Sequence, residues 1–215
     1  ERLVGSEMCI RDRYLASSAR VGPRQFADLD VLLDECVQVL DAPVKPEMFV
    51  MQSPAATAYT IGMDKPFIVI STGLYDLMTH DEMRLVVGHE LGHALSGHAV
   101  YRTMLMHLIR LASSFGFIPI GGWALRAIVA ALLEWQRKSE LSGDRAGLLC
   151  AQDIDVAIRV ELKLAGGARL DKLDSQAFLA QARGTNKPVT CATGCSSCSI
   201  SSCRLTPSRC CARRH

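Results

Sequence analysis

The segment from Thr79 to His98, THDEMRLVVGHELGHALSGH, constrains the fold of this chain more than any other. It opens with Thr79 and Glu82 at the spacing of a capping box, with Thr79 as the N-cap and Glu82 at N3. Apolar residues then recur at helical spacing. Gly97 is a residue type at which helices commonly end. The pattern predicts a helix from 80 to about 96.

Two histidines of this helix form an H-E-x-x-H pattern with Glu90 between them. Four residues advance a helix by about 400°, so His89 and His93 lie one turn apart on the same face. Two ligands of a tetrahedral zinc ion need that arrangement. Glu90 follows the first histidine and can reach a metal-bound water as a general base.

A hydrolytic zinc site usually takes a third protein ligand, and the segment itself offers His98. If the helix continued to that position, the His98 side chain would point about 140° away from that of His93. We therefore expect His98 not to be a ligand, but to face solvent or the negative end of the helix.

A better third ligand lies far along the chain, in the segment SELSGD. Glu140 and Asp144 are spaced i and i+4, so they share one helix face. Glu140 can supply a carboxylate to zinc, and Asp144 can accept a hydrogen bond from a ligand imidazole. Such pairs also decorate many solvated helix faces, and only the combination with H-E-x-x-H favours a metal site.

The remaining elements follow from hydrophobic periodicity and turn residues. Helices are predicted over 25–41, 73–78, 134–152, 155–164 and 175–183, and strands over 47–52, 56–63 and 67–72. Residues 104–133 are unusually apolar, but Pro119 and two glycines break them into halves shorter than a typical membrane-spanning helix. These residues are predicted to form a helical hairpin that either is buried or packed against itself, or dips into or lies on a membrane.

Charge and cysteine usage narrow the partners and the compartment. With 24 basic and 22 acidic residues, the net charge of +2 gives no reason to expect a nucleic-acid partner. Residues 14–190 hold only Cys36 and Cys150, which favours a reducing compartment. No apolar run typical of a secretory signal opens the sequence. We expect the cytoplasm or the cytoplasmic face of a membrane, while the oligomeric state has no signal.

Both ends differ in character from the rest. Residues 1–13 include SEMCIRDR, which resembles a translated sequencing-adapter fragment, and we expect them to be foreign to the native chain. Residues 188–215 are rich in Cys, Ser and Arg without the spacing of paired C-x-x-C motifs. We expect this tail to be out of frame or disordered, the alternative being a zinc-binding or redox module.

The two motifs together resemble the HtpX-like and CAAX-prenyl-protease-like zinc metallopeptidases of peptidase family M48, with HELGHALSGH and EWQRKSELSGDRAGL as the matching stretches. The resemblance covers roughly residues 25–183 and implies an α+β, zincin-like (gluzincin) fold, mostly helical, with a small mixed sheet beside the active-site helix. We expect the metallopeptidase domain to span 14–187. The resemblance implies one Zn²⁺ per chain on His89, His93 and Glu140, with Glu90 as general base and Asp144 orienting a ligand. It also implies a metalloendopeptidase whose peptide or protein substrate binds as an extended strand.

Two departures from the family pattern keep a second function open. Thr57 stands where the family usually has an asparagine before Ala58 and Tyr59, and the family's later His-Pro segment with its arginine is missing. If the end of the tail, RLTPSRCCARRH, is back-translated with GC-rich codons and read two bases further on, it can give P-H-P-F-A-V-L-R, which resembles the missing segment. The alternative prediction is a catalytically impaired, zinc-binding, membrane-associated interaction protein.

Overall fold

A computed structural model describes residues 11–62, 65–98, 100–101 and 121–184. The chain divides into two compact units, the first ending at Asp153 and the second beginning at Ile154. The described part is mostly helical with one small mixed sheet, which confirms the predicted α+β class. The prediction of a single domain over 14–187 stays a prediction.

The sheet has four strands in the order β1-β2-β4-β3. They are β1 (Ala19–Arg20), β2 (Glu47–Met51), β3 (Ala58–Ile61) and β4 (Phe67–Ser71). β2 pairs with β4 in parallel, whereas β1–β2 and β3–β4 are antiparallel. β3 therefore forms one edge of a mixed sheet.

The core of the sheet comes from its most apolar strands. Every residue of β4 is buried, as its continuous apolar run predicts, and so are the three central residues of β2. Phe49 and Phe67 pack edge to face with ring centroids 5.5 Å apart, next to the buried Val69. β4 pairs with β2 on one side and with β3 on the other, so that β3 lies at the edge.

Helices account for most of the rest. The first unit contains α1 (Ala27–Val39), α2 (Thr72–Leu77), α3 (His80–Leu95) and α4 (Gly121–Ala151), and residues 11–17 are also helical. The second unit contains α5 (Ile154–Gly166), a 3₁₀ turn (Leu170–Lys172) and α6 (Ser175–Gly184). Each predicted helix and strand within the described residues is present, and apart from the start of α4 the bounds shift by only a few residues.

The helix α3 begins and ends as the sequence predicts. Both hydrogen bonds of the Thr79–Glu82 capping box are present, and the Thr79 backbone N–H donates to Glu82 Oε2 at 2.8 Å. Ser96 is the C-cap, and Gly97 follows with a left-handed φ of 65°. That conformation favours glycine and turns the chain out of the helix axis.

The helix α4 corrects one expectation. The sequence prediction ended a hairpin arm at 133 and began a separate helix at 134, but α4 runs unbroken from Gly121 to Ala151. The division is wrong because no proline or glycine lies between Trp123 and Ser142. The first arm of the hairpin, 104–120, lies outside the described residues, as do 1–10 and the tail 188–215. Among the helices that the structure describes, none is long and apolar enough to cross a membrane.

Candidate metal centre

Three side chains from two helices converge on one point. His89 and His93 of α3 turn their Nε2 atoms toward each other at 3.1 Å. Glu140 of α4 brings Oε2 to 3.5 Å from His89 Nε2 and 3.6 Å from His93 Nε2. Both histidines are buried, and the Glu140 side chain is 20% exposed. The structure thus brings together the three residues that the sequence predicts as ligands.

The spacing of these atoms fits a tetrahedral metal ion. Metal–ligand bonds of about 2.0–2.1 Å place the ligand atoms of such a site about 3.4 Å apart. The three separations, 3.1, 3.5 and 3.6 Å, lie around that value. Two imidazole nitrogens and one carboxylate oxygen leave a fourth position for water or substrate, which is the pattern of a catalytic rather than a structural site.

Small residues let α3 and α4 approach closely enough to build this cluster. A Cβ on Gly92 would lie 2.6 Å from the Ala146 Cβ, and one on Gly88 would lie 2.7 Å from the Cys150 Sγ. On α4, a Cβ on Gly143 would lie 2.8–3.0 Å from three atoms of the His89 ring. These distances are far below ordinary van der Waals contact, so only glycine fits without movement.

Asp144 occupies the position predicted for an orienting carboxylate. Its Oδ1 lies 3.1 Å from His89 Nδ1, on the opposite side of the ring from Glu140. Burial alone would lower the pKa of His89, but the hydrogen bonds to Asp144 and Glu140 outweigh it and raise the pKa to about 10. With a metal ion bound at Nε2, His89 would keep its proton on Nδ1, where Asp144 Oδ1 can accept it in a hydrogen bond.

Glu140 is held in its charged form by the two histidines. Its burial alone would raise the pKa of the carboxyl group. The neighbouring imidazoles of His89 and His93 outweigh that effect and hold the pKa well below its usual range. A carboxylate that is ionised beside two imidazoles is the donor that a divalent cation requires.

Thr60 is a contact of Glu90 that the sequence analysis missed. Glu90 is 6% exposed, and its Oε2 accepts a hydrogen bond of 2.8 Å from Thr60 Oγ1 in β3. The same hydroxyl lies 2.9 Å from the Glu90 carbonyl oxygen. In the alternating burial of β3, Ala58 and Thr60 are the inward positions. A polar residue at an inward strand position was the available signal.

His98 corrects another expectation. Its Nδ1 lies 3.0 Å from His93 Nδ1, and its ring packs edge to face on the ring of Trp135. The prediction that it faces solvent or the helix end is wrong, because α3 ends at Leu95 and the turn at Gly97 returns the chain toward His93. His98 does not belong to the cluster of potential metal ligands.

A comparison with protein families agrees with the fold and the cluster. The family model described as Peptidase family M48 matches residues 23–193, and the chain belongs to that family. It is therefore a member of a metallopeptidase family, as the two motifs predict.

Individual relatives agree with this assignment. The plastoglobule-localized metallopeptidase 48 of Arabidopsis thaliana is 39% identical over 177 residues, which cover 80% of this chain and 51% of the relative. Protease HtpX of Thioalkalivibrio sulfidiphilus is 35% identical over 85 residues, covering 39% of this chain and 29% of the relative. The chain thus spans about half the length of the first relative and less of the second. No solved structure matches it.

Proposed function

We propose that this chain is a zinc-dependent endopeptidase. The observation that carries the proposal is the convergence of His89, His93 and Glu140 directly beside a buried carboxylate, Glu90. Membership of peptidase family M48 supports peptide-bond hydrolysis. Mixed nitrogen and oxygen ligands in tetrahedral spacing favour zinc over magnesium or calcium, which prefer oxygen ligands in larger numbers.

The residues of this chain divide the work between binding and proton transfer. His89, His93 and Glu140 would hold the ion. An ion held there would supply Lewis-acid chemistry, namely polarisation of the scissile carbonyl and a lower pKa for water. Glu90 takes a proton from the attacking water and delivers it to the leaving amine. The Thr60 hydroxyl fixes Glu90 Oε2, and the buried setting keeps bulk water from competing for the carboxylate.

The sheet edge supports a site for an extended substrate. β3 is an edge strand, and Thr60 in its middle contacts Glu90. A peptide added to this edge would run past the catalytic carboxylate with its backbone aligned by strand pairing. The substrate of this proposal is a peptide or an unfolded protein segment, since strand addition requires an extended chain.

A single substitution tests the catalytic part of the proposal. Glu90→Gln keeps the size of the side chain but removes the base, so it should lower casein cleavage by at least about 100-fold, the lower end of general-base contributions. Zinc content, measured by atomic emission after dialysis, should stay at one ion per chain because Glu90 is not a ligand. The matched control, Glu134→Gln, changes an exposed residue of α4 and should cleave casein at the wild-type rate.

The same experiment separates the alternative function. A wild-type chain that binds zinc but cleaves no casein, with or without added zinc, would support the impaired interaction protein and contradict the peptidase. Cleavage that survives in Glu90→Gln would remove Glu90 from the role of base. The predicted cytoplasmic or membrane-surface location stays a prediction.

A further inference from the structure

We propose that His98 is a positioning residue that fixes the second metal ligand, His93, by accepting a hydrogen bond from its Nδ1–H. The inference deepens the proposed function, because it concerns the same metal site. It starts from the 3.0 Å separation between the Nδ1 atoms of the two rings.

The direction of this hydrogen bond follows from the other side of the His93 ring. His93 Nε2 faces His89 Nε2 at 3.1 Å and Glu140 Oε2 at 3.6 Å, so a metal ion bound in this cluster would take the lone pair of this nitrogen. A neutral imidazole then carries its proton on Nδ1. That proton points at His98 Nδ1, which must therefore be the acceptor, with the proton of His98 on Nε2.

The two ligand histidines are thus held by different kinds of partner. His89 Nδ1 meets the carboxylate of Asp144, which is half exposed on α4. His93 Nδ1 meets a second imidazole, which the turn at Gly97 brings back against α3. Ligand histidines commonly donate their second N–H to a carboxylate or a carbonyl, and such partners fix both the tautomer and the ring orientation.

Aromatic packing holds His98 in place. Its ring centroid lies 5.2 Å from that of Trp135 in an edge-to-face arrangement, and Trp135 in turn contacts Tyr101 at 4.6 Å. Since Trp135 belongs to α4, the helix that supplies Glu140 also supports the acceptor of His93. An acceptor fixed by packing loses little side-chain entropy when the metal binds.

Metal affinity tests this role without any substrate. His98→Phe keeps an aromatic ring against Trp135 but removes the acceptor, and it should weaken zinc binding, measured by competition with a chromogenic chelator, by about 10–100-fold. His98→Asn places an oxygen near the position of Nδ1 and should restore most of the affinity. The matched control is His80→Phe at the exposed start of α3, which should bind zinc like the wild type.

Two further measurements keep a folding defect apart from a lost acceptor. The melting temperature of the metal-free His98→Phe protein should match that of the metal-free wild type. In the zinc-loaded wild type, two-bond ¹⁵N–¹H correlations should assign the Nε2–H tautomer to His98. Wild-type zinc affinity in His98→Phe, or an Nδ1–H tautomer of His98, would overturn the proposal. A wild type that binds zinc but cleaves no peptide would overturn the proposed function alone.

Discussion

The two helices of the metal centre, α3 and α4, differ in how much of their surface is buried. α3 is buried along most of the stretch from Glu82 to His93, including both histidines and the base. Over the residues of α4 whose side chains the structure describes, 127–151, the buried positions are only Ser139, Gly143, Gly147 and Cys150. One helix is part of the core, whereas the other touches it along a narrow stripe of small residues.

This difference teaches how a metal site can be built from unequal parts. On α3, buried apolar side chains such as Met83, Val87 and Leu91 fix the helix in the core, and this packing also holds the two histidines in position. On α4, Gly143 and Gly147 have no side chain and let the backbone come close to α3, so that the Glu140 carboxylate reaches the histidines. Stability of the fold should therefore depend on α3, and metal binding should depend on the fit of α4.

The largest expected effect is on the free energy of unfolding, which core substitutions in α3 should lower far more than substitutions in α4. Leu91 on α3 is fully buried, and Leu91→Ala should lower the free energy of unfolding by about 2–5 kcal/mol, the range for large-to-small changes in cores. Leu141 on α4 is 52% exposed, and Leu141→Ala should change it by less than about 0.5 kcal/mol. Urea denaturation of the metal-free proteins measures both. Equal losses would show that α4 is as much a part of the core as α3.

A second prediction tests the close fit of α4. A methyl group on Gly143 would lie 2.8 Å from His89 Cε1, so Gly143→Ala must move the imidazole or separate the helices. We expect zinc affinity to fall by about 10–100-fold, as for changes that disturb ligand orientation. The same substitution affects the free energy of unfolding separately, because Gly to Ala in a helix interior favours helix formation by about 1 kcal/mol.

A control variant and the zinc affinity of Gly143→Ala itself test whether this contact matters. The control is Gly22→Ala, where a Cβ would meet nothing within 4 Å and where no metal ligand is near in sequence. It should leave zinc affinity unchanged in the chelator competition. If Gly143→Ala binds zinc as tightly as the wild type, the contact with His89 does not limit the geometry of the site.

The comparison also explains what the sequence could predict. The helix α3 could be predicted because its cap, its apolar residues and its H-E-x-x-H motif all fit the same helical period. Glu140 and Asp144 were identified from their own spacing together with that motif. The contact face of α4 carries glycine and serine instead of apolar residues, so hydrophobic periodicity gave no hint that this face packs against α3.

The sequence did not predict contacts that depend on a turn or on a strand far away in the chain. The angle argument for His98 assumed a continuing helix, and the left-handed turn at Gly97 removed that assumption. Thr60 contacts Glu90 because β3 lies beside α3, and periodicity within either segment does not encode the register between them. Sequence reasoning therefore recovered the residues that share a helix face, but not the partners that tertiary packing brings to them.

The smallest effect is expected at Thr60, and it separates the base from the ligands. Thr60→Val keeps the shape of the side chain but removes the donor to Glu90 Oε2, and one hydrogen bond to a charged group contributes about 1.5 kcal/mol. We therefore expect kcat for a fluorogenic peptide to fall about tenfold, since 1.4 kcal/mol corresponds to a factor of ten. KM and zinc affinity should stay the same, because both hydrogen bonds of the Thr60 hydroxyl go to Glu90 and not to a metal ligand. Thr60→Ser retains the hydroxyl and should retain the rate, and Thr57→Val, three residues earlier, should behave like the wild type. A loss of zinc in Thr60→Val would mean that β3 supports the ligands of α3 as well as its base.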